Sequence, residues 1–346
     1  MQITEELVRN TLKQVHYPGF KRDIVSFGLV KQIVIHQNEV GVVMALTTQD
    51  PKIAPQIKAD AEAALRTIPG VTRALVEMQV QSPAQAVPPT LAQTRIRGVK
   101  YVVAVASGKG GVGKSTVAVN LACALKRTGA PTGLMDCDIY GPSVPLMMGT
   151  RDRPTLANDE TLEPVHSHGI KLMSMGFLTD GDTPVIWRGP MIMKTVQQFC
   201  RNVAWAPLDF LLVDMPPGTG DAQLSLCQTI PLDGCVMVTT PQEASLGVVR
   251  KGTAMFQKLN VPILGVIENM SYFAVPGTNQ RHDIFGSGGG RKEAERISAP
   301  FLGEIPLFTD IRVGGDKGVP IVEAAPESDP AKVFLKVAEA LREQLK

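Results

Sequence analysis

The chain has 346 residues, enough for one large domain and a small one, and 44% hydrophobic against 20% charged residues can fill a sizeable core. A net charge of +2 and a pI near 8.2 argue against a dedicated nucleic-acid surface or a polybasic membrane tail. The acidic start MQITEELVRN has no apolar leader, no run reaches the ~18 apolar residues a stable membrane insertion needs, and five cysteines without a C-x-x-C pair argue against a disulfide framework or a local zinc site, so a cytoplasmic protein is expected.

Residues 1–81 read as a small α+β domain. Glu5 to Val15 has helical spacing, Leu29–Ile35 and Glu39–Leu46 read as strands about a turn at Gln37-Asn38, Pro55–Ile68 as a helix, and Arg73–Gln79 as a last strand. Residues 82–98, SPAQAVPPTLAQTRIRG, are rich in proline, alanine and polar residues and read as a linker. In residues 99–346 short apolar runs recur at Tyr101–Ala106, Gly133–Asp136, Phe210–Asp214, Gly234–Thr239, Ile263–Ile267 and Phe301–Ile305. Helical stretches such as Glu243 to Leu259 lie between several of them, which predicts an α/β domain with a doubly wound, mostly parallel sheet.

The first of these runs leads into Ser107-Gly108-Lys109-Gly110-Gly111-Val112-Gly113-Lys114-Ser115-Thr116, and a helical stretch from Thr116 to Lys126 follows. Strand, glycine loop and helix in that order fit the P-loop pattern G-x-x-x-x-G-K-[ST]. Phosphate oxygens must approach the main chain closely, so the loop needs residues without side chains. The exposed N–H groups and the helix N-terminus then hold the anion. Lys114 would neutralise the β- and γ-phosphates, and Ser115 would ligate Mg²⁺. Lys109 is a second cation inside the loop, placed to add charge beside a polyanion or to reach one held by a partner.

Asp136-Cys137-Asp138-Ile139-Tyr140-Gly141-Pro142-Ser143 follows the second run, and acids at i and i+2 there would face bound phosphates. Phe210 to Asp221, FLLVDMPPGTGD, runs apolar residues into an acid, so Asp214 would hold Mg²⁺ through water, and Gly218 can move its N–H in response to a γ-phosphate. Glu268-Asn269-Met270-Ser271 is expected to end a further strand. An asparagine there offers both donor and acceptor to a base edge, although a loop asparagine satisfied by its surroundings competes with that reading. His166-Ser167-His168 would place two imidazoles on one face of a strand, and His282 lies downstream; a polar surface role competes with a metal role for all three. Pro330 to Lys346 is an amphipathic helix with Val333, Phe334, Val337, Leu341 and Leu345 on one face. Its mixed charges favour docking on its own domain over tethering to a membrane.

The loop with its extra lysine resembles the deviant Walker A motif of the MinD/ParA class, which includes the nitrogenase iron protein. That resemblance implies a homodimer sandwiching two ATP molecules, with Lys109 on the partner's nucleotide. It also implies that Asp138 positions the attacking water, that Asp136 sits nearer the metal, and that Asn269 pairs with the adenine edge beside Gly303 to Leu307. Residues 1–81, with Asp23-Ile24-Val25-Ser26-Phe27-Gly28-Leu29-Val30, resemble a small iron–sulfur-assembly-associated domain. That domain often carries a cysteine after its second strand, where this chain has Thr47-Thr48-Gln49-Asp50-Pro51.

Together with Trp187-Arg188-Gly189-Pro190-Met191, Glu268 to Phe273 and Ile284 to Gly290, these phrases closely resemble the Mrp/ApbC-type iron–sulfur cluster carrier ATPases. The resemblance implies ATP hydrolysis coupled to delivery of clusters to apo iron–sulfur proteins or exchange with assembly proteins. The family usually has Cys-Pro-x-Cys after Glu-Asn-Met-Ser-x-Phe, one pair from each subunit ligating a [4Fe–4S] cluster. Here the two positions are Val275 and Thr278. Cys137 and Cys227 could serve only if the fold brings them to a dimer seam. The alternative is a nucleotide-gated dimeric protein that binds assembly partners without a cluster.

Overall fold

The computed structural model describes residues 3–18, 23–26, 28–36, 38–47, 53–81, 95–139, 141–158, 160–178, 189–275, 278 and 280–345. Gln37, Thr48 to Pro51, most of the linker, Tyr140, Trp187-Arg188, and Pro276, Gly277 and Asn279 lie outside the described residues. The chain divides into two compact units, Met1–Ala92 and Gln93–Lys346.

In the first unit the elements are α1 (Glu5–Leu12), β1 (Val30–His36), β2 (Glu39–Thr47), α2 (Ile53–Arg66) and β3 (Arg73–Gln81). Thr4 caps α1 by accepting the Leu7 N–H. β1 pairs antiparallel and β3 parallel with β2, in the order β1-β2-β3. Strand alternation turns Val40, Val42, Met44 and Val76 inward, where they meet Val8 and Leu12 of α1 and Ile57, Ala61 and Leu65 of α2.

The second unit begins with β4 (Val99–Ser107), α3 (Lys114–Arg127), β5 (Thr132–Asp136), the short α4 (Val144–Met147), the two-residue strands β6 (Thr155–Leu156) and β7 (Leu162–Glu163), β8 (Val165–Ser167) and β9 (Ile170–Ser174). It continues with α5 (Gly189–Asn202), β10 (Leu208–Asp214), α6 (Asp221–Thr229), β11 (Gly234–Thr239), α7 (Glu243–Lys258) and β12 (Ile263–Ala274). The last elements are β13 (Arg281–His282), α8 (Gly289–Arg296), β14 (Phe301–Leu307), α9 (Thr309–Lys317), α10 (Ile321–Ala324) and α11 (Asp329–Glu343).

The parallel strands run in the order β14-β12-β11-β4-β10-β5-β9, with β8 antiparallel on β9 and β13 antiparallel on β12. β10 and β11 flank β4, and strands covered on both faces read as the near-continuous apolar runs seen in the sequence. Crossovers between parallel strands put the C-terminal ends of β4, β5 and β10 at one rim. There Ser107 opens the glycine loop, and Asp136 and Asp214 are paired in register.

α3 is buried almost all round, from Val117 to Leu125, as expected of a helix in a core. α11 packs on α3 and β14, burying Phe334, Val337, Ala338 and Leu341, with Val333 and Leu345 at the margin. Arg342 fastens it by donating to the Thr128 carbonyl at 2.8 Å. Among the described residues no helix is long and apolar enough to cross a membrane.

Two local expectations change. The Glu268-Asn269-Met270-Ser271 phrase does not end its strand: β12 continues to Ala274, bulged at Met270, whose φ is 54°. His166 and His168 do not share a strand face, because His168 (φ 49°) and Gly169 (φ 72°) form the two-residue turn between β8 and β9. The His168 ring nitrogen Nε2 instead lies 2.9 Å from the Gly318 carbonyl oxygen.

Candidate functional site

The loop between β4 and α3 is shaped by close approaches that side chains would block. A Cβ on Gly108 would lie 2.6 Å from the Val248 carbonyl carbon and 2.8 Å from the Val249 nitrogen, so this glycine lets the loop rest on α7. Gly113, at φ 78°, starts α3, and a Cβ there would strike the Asn269 amide. Gly111, at φ 80°, faces open space on its Cβ side, and Gly110 meets only Pro217 at 4.0 Å. Val112 is buried, and its carbonyl accepts the Asn269 Nδ2–H at 2.8 Å. Ser115 and Thr116, both half-buried, occupy the first turn of α3, so its unpaired N–H groups face the loop. The Lys109 side chain is exposed; its backbone carbonyl accepts the Ser107 hydroxyl at 3.0 Å.

Lys114 is turned inward. Its side chain is 6% exposed, and its ammonium lies 2.5 Å from Asp214 Oδ1, 3.7 Å from Asp138 Oδ2 and 3.2 Å from Ser115 Oγ. Asp214 is fully buried, and its Oδ2 has no hydrogen-bond partner. Burial pushes the Asp214 carboxyl above the usual range, and the Lys114 ammonium pulls it back. Asp136 is also fully buried: Oδ1 accepts the Asp138 N–H at 3.0 Å, and Oδ2 accepts the Val144 N–H at 3.3 Å and the Ser174 hydroxyl at 2.8 Å. Burial, reinforced by the Asp214 charge, raises Asp136 to about 7. Gly218, at φ 101°, donates its N–H to the Ser107 carbonyl at 3.1 Å, which latches the Pro-Pro-Gly turn to the loop. Asp221 is the first residue of α6.

Beside the loop lies a cavity of about 350 Å³. Leu146, Met270, Pro306, Leu307, Phe308 and Ile311 supply apolar walls, and Gly113, Thr116 and Asn269 line the end next to the loop. Its size and apolar lining suit a purine base.

The sequence profile described as NUBPL iron-transfer P-loop NTPase matches residues 98–342. The chain belongs to that family. A second profile, described as iron-sulfur cluster assembly protein, matches residues 5–77. The iron-sulfur cluster carrier protein of Synechocystis sp. is 46% identical over 344 residues, spanning 98% of this chain and 97% of the relative. A nucleotide-binding protein of Archaeoglobus fulgidus, solved in complex with ADP, is 38% identical with a TM-score of 0.61, covering 69% of this chain and 94% of that one. The cell division ATPase MinD of Pyrococcus furiosus, 23% identical with a TM-score of 0.53 over 70% of this chain and 98% of that one, shares the fold.

The region after Phe273 holds the positions for which the family resemblance implies cluster ligands. Val275 N–H bonds to the Gln280 carbonyl at 3.1 Å, and Thr278 N–H and hydroxyl both bond to the Val275 carbonyl, at 3.2 and 3.1 Å. The two positions where the family resemblance places thiolates therefore close a hairpin between β12 and β13. All five cysteines are buried. Burial pushes Cys227 up to about 12 and Cys137 well above the usual thiol range, so neither is a ready thiolate. Among the described residues no three His, Cys, Asp or Glu side chains gather as a metal site, and His282 pairs with Phe273 on β13.

The structure gives Glu268, Gly289 and Ser174 roles that the sequence reading did not assign. Glu268 is fully buried and accepts the Gly290 N–H at 2.5 Å, anchoring the start of α8. A Cβ on Gly289 would lie 2.5 Å from the Pro241 carbonyl oxygen, which accounts for glycine in this part of the run. Ser174 ends β9, a strand whose clearest signal was the His168-Gly169 hairpin turn.

Proposed function

We propose that this chain binds and hydrolyses ATP as a homodimer and uses that cycle to carry iron–sulfur clusters to apoproteins. The observation that carries the nucleotide chemistry is the meeting of Lys114, Asp138 and Asp214 beside a glycine-rich loop, with a base-sized cavity alongside. The role is supported by the likeness to the iron-sulfur cluster carrier protein of Synechocystis, and the nucleotide by the ADP complex of the Archaeoglobus protein.

Gly108 to Thr116 offer backbone N–H groups to the phosphates. Lys114 exchanges its partner Asp214 for the β- and γ-phosphates as they arrive. The unpartnered Asp214 Oδ2 and the Ser115 hydroxyl fit a magnesium ion or its water, and such an ion would neutralise charge developing on the phosphates. Asp138 orients the attacking water, Lys109 projects outward to a partner's nucleotide, and Asn269 faces the base. Because Asn269 donates to Val112, its remaining oxygen acceptor suits the amino group of adenine. Asp136 has both oxygens committed to main chain and to Ser174, which favours holding Asp138 in place over ligating the ion.

The closed hairpin and buried cysteines favour a second reading, a nucleotide-gated dimer that binds assembly partners without holding a cluster. Iron and acid-labile sulfide in anaerobically purified protein separate the two. Stoichiometric iron per dimer, lost in Cys137→Ala or Cys227→Ala, supports the carrier. An iron-free protein that dimerises with ATP supports the gated binder. Absence of ATP binding at any Mg²⁺ concentration refutes both.

A further inference from the structure

A single carboxylate brackets the segment that carries Asp138. Asp136 Oδ1 accepts the N–H of Asp138 and Oδ2 accepts the N–H of Val144, so the two oxygens of one side chain hold both ends of residues 138–144. That arrangement requires one rotamer of Asp136. Rotation about χ2 would break one end or the other.

The rotamer is held from the neighbouring strand. β9 lies parallel to β5 with Ser174 in register with Asp136, and its hydroxyl donates to Oδ2 at 2.8 Å. The same hydroxyl oxygen accepts the Gly176 N–H at 2.9 Å, which orients its proton toward the carboxylate. Both Ser174 and Asp136 are fully buried, so no solvent molecule replaces the bond if it is lost. The corner after β9 also touches the segment directly: a Cβ on Gly176 would lie 3.2 Å from Pro142 Cβ and from Ser174 Oγ.

We propose that Ser174 is a positioning residue for ATP hydrolysis, locking the Asp136 carboxylate in the rotamer that brackets residues 138–144 and so setting the aim of Asp138. It touches neither nucleotide nor water and acts through Asp136. The proposal rests on the assignment of Asp138 to the attacking water.

The test is steady-state ATPase activity of the full chain as a function of ATP and of Mg²⁺, with ADP affinity and amide exchange measured alongside. Ser174→Ala is expected to lower kcat at least tenfold while KM for ATP and ADP affinity stay within twofold. Exchange at Asp138 and Val144 is expected to accelerate while distant core amides do not change. Asp136→Asn presents one acceptor oxygen instead of two, frees one end of the segment, and is expected to lower kcat without altering the Mg²⁺ requirement; it serves equally if Ser174→Ala does not fold. A kcat for Ser174→Ala within twofold of wild type overturns the proposal. So does an Asp136→Asn variant that needs tenfold more Mg²⁺ with unchanged exchange, since that marks a metal ligand. Wild-type protein that binds ATP without hydrolysing it removes the functional reading itself, an outcome visible before any variant is made.

Discussion

Replacing Lys114 by alanine tests the site through stability as well as through binding. The Lys114 ammonium is the charge partner of a fully buried carboxylate, 2.5 Å away. Asp214 Oδ2 already lacks a hydrogen bond, and Ser115 is the remaining side chain that eases its charge. Removing one member of a buried pair costs about 3–5 kcal/mol, because the other charge stays behind. At ~2–4 °C per kcal/mol for a unit of this size, the P-loop unit should melt roughly 6–20 °C lower. The loss has a definite pH dependence. Burial holds Asp214 above its ordinary value even with Lys114 present, and without the lysine it rises further. A carboxyl whose folded-state pKa is raised destabilises the fold above that pKa, and the penalty fades as pH falls through it. The gap between Lys114→Ala and wild type should therefore be widest at about pH 8 and shrink toward about pH 5. Thermal melts of nucleotide-free protein across that range measure it. Lys114→Met combined with Asp214→Asn should recover most of the stability and none of the ATP affinity. Equal melting of Lys114→Ala and wild type, or a gap that grows in acid, would refute the pairing.

Gly108→Ala should push the loop off α7, since its Cβ meets Val248 and Val249 backbone atoms at 2.6 and 2.8 Å, and ATP titration should show at least a tenfold weaker complex. Asn269→Ala should strand the Val112 carbonyl and remove the acceptor facing the base, so the ratio of ATP to GTP affinity should fall. Val275→Cys with Thr278→Cys places a thiol pair at the hairpin, and anaerobic reconstitution should then load more iron and sulfide per dimer than wild type does. Phe334→Ala empties a fully buried site between α11 and the domain, which should cost about 3–5 kcal/mol in urea unfolding.

The parallel core was legible because strands covered on both faces must be apolar along their length, as Tyr101–Ala106 and Phe210–Val213 are. The glycine loop was legible because its residues answer a local geometric demand. Ser174 was not, since a serine at the end of a five-residue strand carries no signal until the sheet sets it beside Asp136. The committed geometry of Asp136 was hidden for the same reason: two acids at i and i+2 look alike in sequence, and Val144 and Ser174 give this one different work. The continuation of β12 past Ser271 was masked because polar Glu268 and Asn269 read as a strand end. Both are buried and bonded from outside the strand: Glu268 Oε2 accepts the Gly290 N–H, and Asn269 Nδ2 donates to the Val112 carbonyl.

That continuation bears on how nucleotide and cargo communicate. β12 carries Asn269 against the P-loop and Met270 in the wall of the base cavity. Four residues later it enters the hairpin closed by Val275 and Thr278. Met270 takes a left-handed backbone conformation in a bulge, so the pleat is broken between cavity and hairpin. Downstream of the bulge, Arg281 stacks 3.8 Å from the Tyr272 ring centre and pairs with Asp283 at 2.8 Å and Glu304 at 3.6 Å, which braces the hairpin against β14. A base that displaces Met270 would push on a strand held to β14 through Arg281, and the bulge is where the displacement would be absorbed or passed on. The physical path from nucleotide to hairpin is short and covalent whether or not the hairpin bears thiolates. Val275 and Thr278 stand at the end of that path and supply no thiolate.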